Sequence, residues 1–303
     1  MYREKMPINY LLEQLAAMVT RGGPEPDEYD WLAESFRLLQ GEGILPQQIA
    51  AVYAPTMCLN CLHGRAFLKP RGYAGDFELI DHIYTGWLSS DTSLVRHDRF
   101  FHSQPAPRAV RNRKAYLRTV LLSLANSAKQ RPLRVLNIGS GPARDVFEFF
   151  REFPDAPLFV HCVDIDRAAI EYGADLCSDY KRKVSFEKRN ALRLQPTQTY
   201  DLIWSAGLFD YLSDRAFIML ARRLFSFVAN GGELIIGNFA PSNPTRAPME
   251  LLCQWFLEYR SADQLCHLVA AAGITKATVN VDREPEGINL FLRVGQDGDA
   301  LIS

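Results

Sequence analysis

One segment limits what this chain can fold into more than any other. Val135-Leu-Asn-Ile-Gly-Ser-Gly-Pro-Ala-Arg-Asp145 is an apolar run that meets two closely spaced glycines and then turns amphipathic. The pattern predicts a buried strand, a tight loop and the start of a helix. Val160-His-Cys-Val-Asp-Ile-Asp166 predicts a second buried strand ending in acid, and Asp164 lies 23 residues beyond Gly141. This is the arrangement of a nucleoside-binding αβ unit. Glycines let the backbone approach the ligand, and a carboxylate on the next strand takes the ribose hydroxyls.

The glycine spacing discriminates further. A dinucleotide fold places a third glycine three residues after the second, for close helix–strand packing beside the pyrophosphate. Arg144 stands there instead. A bulky cation argues against tight NAD packing. A nucleoside without phosphates tolerates it better, and S-adenosylmethionine (SAM) is the common example.

Composition narrows the class. The chain has 303 residues, 48% of them hydrophobic and 23% charged, which suits a globular protein with a sizeable core. A net charge of −1 gives no reason to expect nucleic-acid or anionic-membrane partners. The N-terminal residues lack the apolar run of a signal peptide, and no stretch approaches the roughly 20 apolar residues that span a bilayer. Six cysteines in a chain of this length do not read as a disulfide framework, so a cytoplasmic, reduced protein is expected. Cys58-x-x-Cys61-x-His63 has the spacing of half a zinc site without a matching second pair, and reads as ordinary reduced cysteines in a helical region.

Two regions follow from periodicity. Residues 1–130 read as a helical cap: Ile8, Leu11, Leu12, Leu15 and Val19 share a helical face, Trp31 to Leu39 form a second helix, and a third begins after Pro46. Leu68 to Asp76, with Pro70, Gly72 and Gly75, reads as a turn, and 110–128 as a long helix. Residues 131–303 alternate strands (133–138, 159–164, 184–187, 200–205, 233–238) with helices (143–151, 167–180, 214–229). A helix at 261–272 and two strands at 274–282 and 287–294 follow, the last pair joined by Glu284-Pro-Glu-Gly287. The expected fold is therefore a Rossmann-like, doubly wound, seven-stranded α/β sheet with an antiparallel C-terminal hairpin, plus the N-terminal helical cap, which would close over a cofactor.

These residues resemble class I SAM-dependent methyltransferases over about residues 110–295. The glycine motif appears as Asn137-Ile-Gly-Ser-Gly-Pro-Ala143, the acidic strand end as Asp164, the adenine-contact position as Arg189-Asn190-Ala191, and the substrate-presenting strand as Tyr200-Asp-Leu-Ile-Trp-Ser-Ala-Gly-Leu-Phe209. The resemblance implies cofactor contacts from Gly139, Ser140, Gly141, Asp164, Ile165, Asn190, Ala191, Ala206 and Phe209. Asn137 and Asn190 depart from the family, which usually has acids there, so attraction for a cationic ligand is reduced. Lys69-Pro-Arg-Gly-Tyr-Ala-Gly-Asp76, Ala109-Val-Arg-Asn-Arg113, Met249-Glu250, Trp255 and Tyr259-Arg260 resemble a bacterial subgroup named for hydroxypalmitic acid methyl ester biosynthesis. That resemblance implies carboxyl O-methylation.

Each side chain also has a plainer reading. Tyr73 and Asp76 are candidates to contact the ammonium and sulfonium or to activate substrate, and the alternative for Asp76 is a helix cap. Arg111 and Arg113 cannot face the same way on a helix, and Arg113 is the candidate fork for a carboxylate of SAM or of an acid substrate. Phe209 and Tyr211 can hold a sulfonium by cation–π attraction, with Tyr211 a candidate catalytic group, but core packing explains Phe209 equally well. Asp164 could instead cap a helix, although Asp166 is better placed. Asn238 is a candidate substrate contact, Trp255 and Tyr259 a candidate lid wall, and His102 a candidate base; a lone histidine is more often structural.

The expected activity is methyl transfer from SAM to a small molecule, with no metal. A carboxylate acceptor would need no base. The first alternative is a cyclase that uses SAM as its own substrate, forming azetidine-2-carboxylate and methylthioadenosine. The second is a catalytically silent SAM-binding protein. The sequence leaves the acceptor and oligomeric state open.

Overall fold

The computed structural model describes residues 7–129, 131–195 and 198–296. The chain divides into two compact units: residues 1–108 with 243–256, and residues 109–242 with 257–303. The division differs from the boundary expected near residue 130. It falls inside one helix, Pro105–Ser127, because Leu117, Leu121 and Ala125 pack on the sheet core rather than among the other helices.

The first unit is helical: Ile8–Thr20, Tyr29–Gly41, Pro46–Val52, Leu62–Leu68, Phe77–Thr85 and Val95–Ser103, joined by Arg246–Leu251 from late in the chain. Leu11, Leu15 and Val19 line the buried face of the first helix as the spacing predicted, joined by Met18, whereas Ile8 and Leu12 lie at its edge and are only half-buried. The returning segment is tied in by polar bonds as well as packing. Gln40 Nε2 donates to Glu250 Oε2 at 2.7 Å, and the Ala106 amide donates to Thr245 Oγ1 at 3.0 Å. Gly64 lets the preceding loop fold close against its helix: a Cβ there would lie 2.5 Å from the carbonyl oxygens of Thr56 and Cys58.

The second unit is built on a seven-stranded sheet: β1 (Leu133–Ile138), β2 (Leu158–Asp164), β3 (Val184–Lys188), β4 (Tyr200–Ser205), β5 (Val228–Phe239), β6 (Ala277–Arg283) and β7 (Asn289–Gln296). The order is β3-β2-β1-β4-β5-β7-β6, with β7 antiparallel to both its neighbours, β5 and β6. The sheet is thus parallel with an antiparallel edge, the Rossmann-like class expected. β5 starts five residues earlier than periodicity suggested, at Val228. Its register against β4 shifts between Tyr200 and Leu202, where Gly231 has φ +74°.

Apolar layers cover both faces. On one, helices Pro105–Ser127 and Arg144–Glu152 bring Leu117, Leu121, Val146, Phe149 and Phe150 onto Val135, Val160 and Trp204. On the other, helices Asp214–Phe225 and Ala262–Ala271 bring Phe217, Leu220, Leu224 and Leu265 onto Leu136, Ile203 and Leu234. The closing turn is held by one carboxylate. Glu284 Oε1 accepts from the Ile288 and Asn289 amides at 2.8 and 3.1 Å, Oε2 accepts from the Glu286 amide at 2.7 Å, and Gly287 takes φ +68°. Among the described residues, no helix is long and apolar enough to cross a membrane.

Candidate cofactor site

Ligands of open α/β sheets sit at the carboxyl ends of the strands, where the order reverses. Here that point lies between β1 and β4. Gly139 and Gly141 follow β1 with φ +63° and +52°, so the loop turns through a region that favours glycine. A Cβ on Gly139 would also stand 3.1 Å from the Leu208 Cβ. The amides of Gly139 and Ser140 both donate to the Val163 carbonyl, at 2.8 and 3.2 Å, which pins the loop to the end of β2.

Asp164 completes that attachment. Its Oδ2 accepts from the Gly141 amide at 2.8 Å, and its Oδ1 accepts from the Asp166 amide at 2.9 Å. Each carboxylate oxygen retains a lone pair. Burial pushes the Asp164 carboxyl above the usual carboxylate range. Asp166, not Asp164, caps the following helix, accepting from the Ala168 amide. Ile165 next to it is 62% exposed, an unusual position for a large aliphatic side chain. Asn190 and Ala191 follow β3, and Asn190 Oδ1 accepts from the Leu192 amide at 2.9 Å, so part of its polar capacity is spent locally. Ala206 is buried at the end of β4. The glycine loop, Asp164–Ile165, Asn190–Ala191 and Ala206 thus stand at the ends of four adjacent parallel strands.

Other candidates take different places. Phe209 is fully buried, edge-on to Phe217 with ring centroids 4.8 Å apart, which is the packing alternative. Tyr211 is 42% exposed two residues on. Asn238 is also fully buried: its Nδ2 donates to the Glu258 carbonyl at 2.8 Å and its Oδ1 accepts from Arg260 at 2.9 Å. The expected substrate contact is therefore a strut. Trp255 and Tyr259 do not share a helix face, because the backbone from 254 to 260 is irregular and the two residues fall in different units. His102 Nε2 lies 2.8 Å from the Trp87 carbonyl, a structural bond.

Arg113 is buried against the Gly207 backbone, where a glycine Cβ would meet its Nη1 at 3.2 Å. Its charge acts on two protein carboxylates, half-buried Asp145 and buried Asp210, and holds both lower than desolvation alone would. Burial still dominates, pushing Asp145 up to about 6 and Asp210 up to about 7. Asp210 Oδ1 accepts from the Phe239 amide at 2.7 Å and its carbonyl from the Glu258 amide at 2.7 Å, tying the loop after β4 to the end of β5.

Arg260 escaped the sequence reading as a structural centre, although its motif was noticed. Its guanidinium donates to the Phe209 carbonyl at 3.1 Å, to Asn238 Oδ1 at 2.9 Å, to the Leu212 carbonyl and to Asp214 Oδ1 at 2.9 Å. It also lies over the Phe217 ring. No periodic signal marks a residue whose partners are loop carbonyls.

In the first unit, Asp76 caps helix Phe77–Thr85: its Oδ1 accepts from the Leu79 amide at 2.9 Å and lies 3.4 Å from Arg65 Nε. Its Oδ2 is buried without a partner among the described residues. Tyr73 is half-buried in the preceding turn. Cys61 is buried with Sγ 3.3 Å from His63 Nδ1, and burial pushes its thiol well up.

Comparison with known proteins agrees with this fold. Residues 135–232 match a family model described as a methyltransferase domain, a segment that contains the glycine loop, Asp164 and Asn190. A possible exported protein from Bordetella parapertussis has the same fold over 96% of this chain and 97% of its own, with TM-score 0.67 and 17% identity. Magnesium protoporphyrin IX methyltransferase from Synechocystis PCC 6803, with bound SAH, is similar over 63% of this chain and 87% of its own, with TM-score 0.50 and 11% identity. No curated protein matches the chain.

Proposed function

We propose that the second unit binds SAM and transfers its methyl group to a small molecule. The observation that carries this reading is the joined loop and acid. The Gly141 amide fixes Asp164 at the end of β2, and each of its carboxylate oxygens keeps a lone pair beside the glycine loop. The match of residues 135–232 to a methyltransferase domain supports it.

The residues fit the cofactor in chemistry. Asp164 would accept the ribose hydroxyls, exposed Ile165 would cover a face of the adenine, and Asn190–Ala191 would meet its edge. Asn137 Nδ2 is a buried donor without a partner among the described residues, and a donor at this place suits a carboxylate better than an ammonium. The bound sulfonium would supply an already activated methyl group. The protein's task is then alignment and exclusion of water, and positioning alone can lower a barrier by about 7–11 kcal/mol.

In the second unit Tyr211 is the proposed acceptor-side group; in the first, Tyr73 and Asp76 are proposed as ligand-contacting groups on the motif resemblance, and Asp76 Oδ2 is buried without a partner among the described residues. Arg113 is proposed to add positive potential at the site and to steady Asp145 and Asp210. Carboxyl O-methylation, within bacterial secondary or signal metabolism, is the finer proposal. The resemblance of the Lys69–Asp76 motif supports it, and so does the chemistry of an acceptor that needs no base. A reducing, cytoplasmic setting is part of the same proposal, and all six cysteines are free.

Calorimetry with SAM and its demethylated product tests binding, and incubation with labelled SAM and a panel of carboxylic acids tests transfer. Acceptor-dependent S-adenosylhomocysteine supports methyl transfer. Methylthioadenosine formed without acceptor would replace it by the cyclase reading.

A further inference from the structure

Among the described residues, the crossover from β3 to β4 has no α-helix. Residues between Lys188 and Tyr200 form only a short turn at Ala191–Arg193 among the described residues. Right-handed crossovers place this connection on the sheet face opposite helix Arg144–Glu152. A helix there would cover the first halves of β1, β2 and β3. Without one, that face opens into a cavity of about 360 Å³. The volume is in the range of small-molecule sites.

Its lining is chemically one-sided. Phe159 stands in it and is 46% exposed. Lys181 and Arg182 lie in the turn leading into β3 and Arg134 at the start of β1, all three exposed. Among the described residues, the Lys181 and Arg182 side chains have no ion pair or hydrogen bond. Arg134 shares the field of Asp201, whose own ion pair is with Arg131 at 2.7 Å. His161 lies deeper, with Nδ1 3.1 Å from the Tyr200 hydroxyl and Nε2 3.3 Å from Glu187, so the acid nearby is already engaged. Lys183 is also engaged, donating to the Pro154 and Ala156 carbonyls.

An exposed aromatic face, free cations and a concave floor of strand backbone select one class of ligand. We propose that this cavity is a second site, for a planar ring that carries a phosphate. The ring stacks on Phe159, and Lys181, Arg182 and Arg134 surround the anion. The site lies at the amino ends of the strands, away from the glycine loop at their carboxyl ends, and does not depend on the methyltransferase reading.

The test uses the whole protein saturated with S-adenosylhomocysteine, titrated with phenyl phosphate and with inorganic phosphate by calorimetry. Phenyl phosphate is expected to bind at one site, about tenfold tighter than phosphate. Arg182→Glu is expected to weaken phenyl phosphate by about tenfold and Phe159→Ala by about fivefold, while S-adenosylhomocysteine affinity and melting temperature stay unchanged. Both side chains are exposed, so neither change threatens folding. Phosphate binding as tightly as phenyl phosphate, titrations that neither substitution alters, or no binding at millimolar phenyl phosphate would each overturn the proposal.

Discussion

The Gly141 amide and the Asp164 Oδ2 stand 2.8 Å apart, so the loop after β1 and the end of β2 are one structural unit. Removing the carboxylate therefore has two consequences. Asp164→Ala takes away the ribose acceptor and frees the Gly141 and Asp166 amides together. SAM affinity should fall by tenfold or more, about 1.4 kcal/mol for each factor of ten. Asp164→Asn keeps one acceptor oxygen and should lie between the two. Unchanged calorimetric affinity in the alanine variant removes Asp164 from the cofactor site.

Gly139 answers a different question, whether loop shape or side-chain chemistry controls binding. Its φ of +63° penalises any L side chain by about 1–2 kcal/mol. The Leu208 Cβ lies 3.1 Å from where a new methyl would sit. Gly139→Ala should lower the melting temperature modestly and SAM affinity strongly. An affinity equal to that of the parent protein shows that the backbone does not approach the ligand there.

The sheet and the glycine loop were legible in the sequence because their signals are local. The apolar run with its two glycines and the apolar run with its terminal acid are each complete within about ten residues of sequence. The division into units was not legible, since it depends on where Leu117 and Leu121 pack and on Asn243–Phe256 returning to distant helices. Phe209 and Asn238 were read as ligand contacts because they follow strand ends. The structure turns both inward, since the loop after β4 folds back onto Arg260, and no spacing rule encodes that.

Arg260 should behave as a positioning residue of the fold. Its partner Asp214 is 71% exposed, so the ion pair itself adds little. The larger effect comes from the Phe209 and Leu212 carbonyls and the Asn238 amide, which lose their donors together. Arg260→Met should reduce unfolding free energy by about 3 kcal/mol or more in urea titrations. Arg260→Lys keeps the charge but loses the fork, and should recover only part of that. A stable methionine variant with impaired turnover would instead place Arg260 in contact with substrate.

Asp210 predicts a pH signature. It is 3% exposed, and burial raises its carboxyl from 3.8 to about 7 in the folded chain. The unfolded chain ionises near the ordinary value, so the folded state holds the proton longer. The stabilisation is complete below about pH 4 and is lost as pH rises through 7. Asp210→Asn removes this titration while keeping an acceptor for the Phe239 amide. The variant's stability relative to the parent should therefore improve between pH 5 and pH 8, by about 3 kcal/mol from the two pH units below 7. Paired denaturant titrations at the two pH values measure it. A difference that stays constant with pH shows that Asp210 is ionised throughout, held so by Arg113 and Arg260.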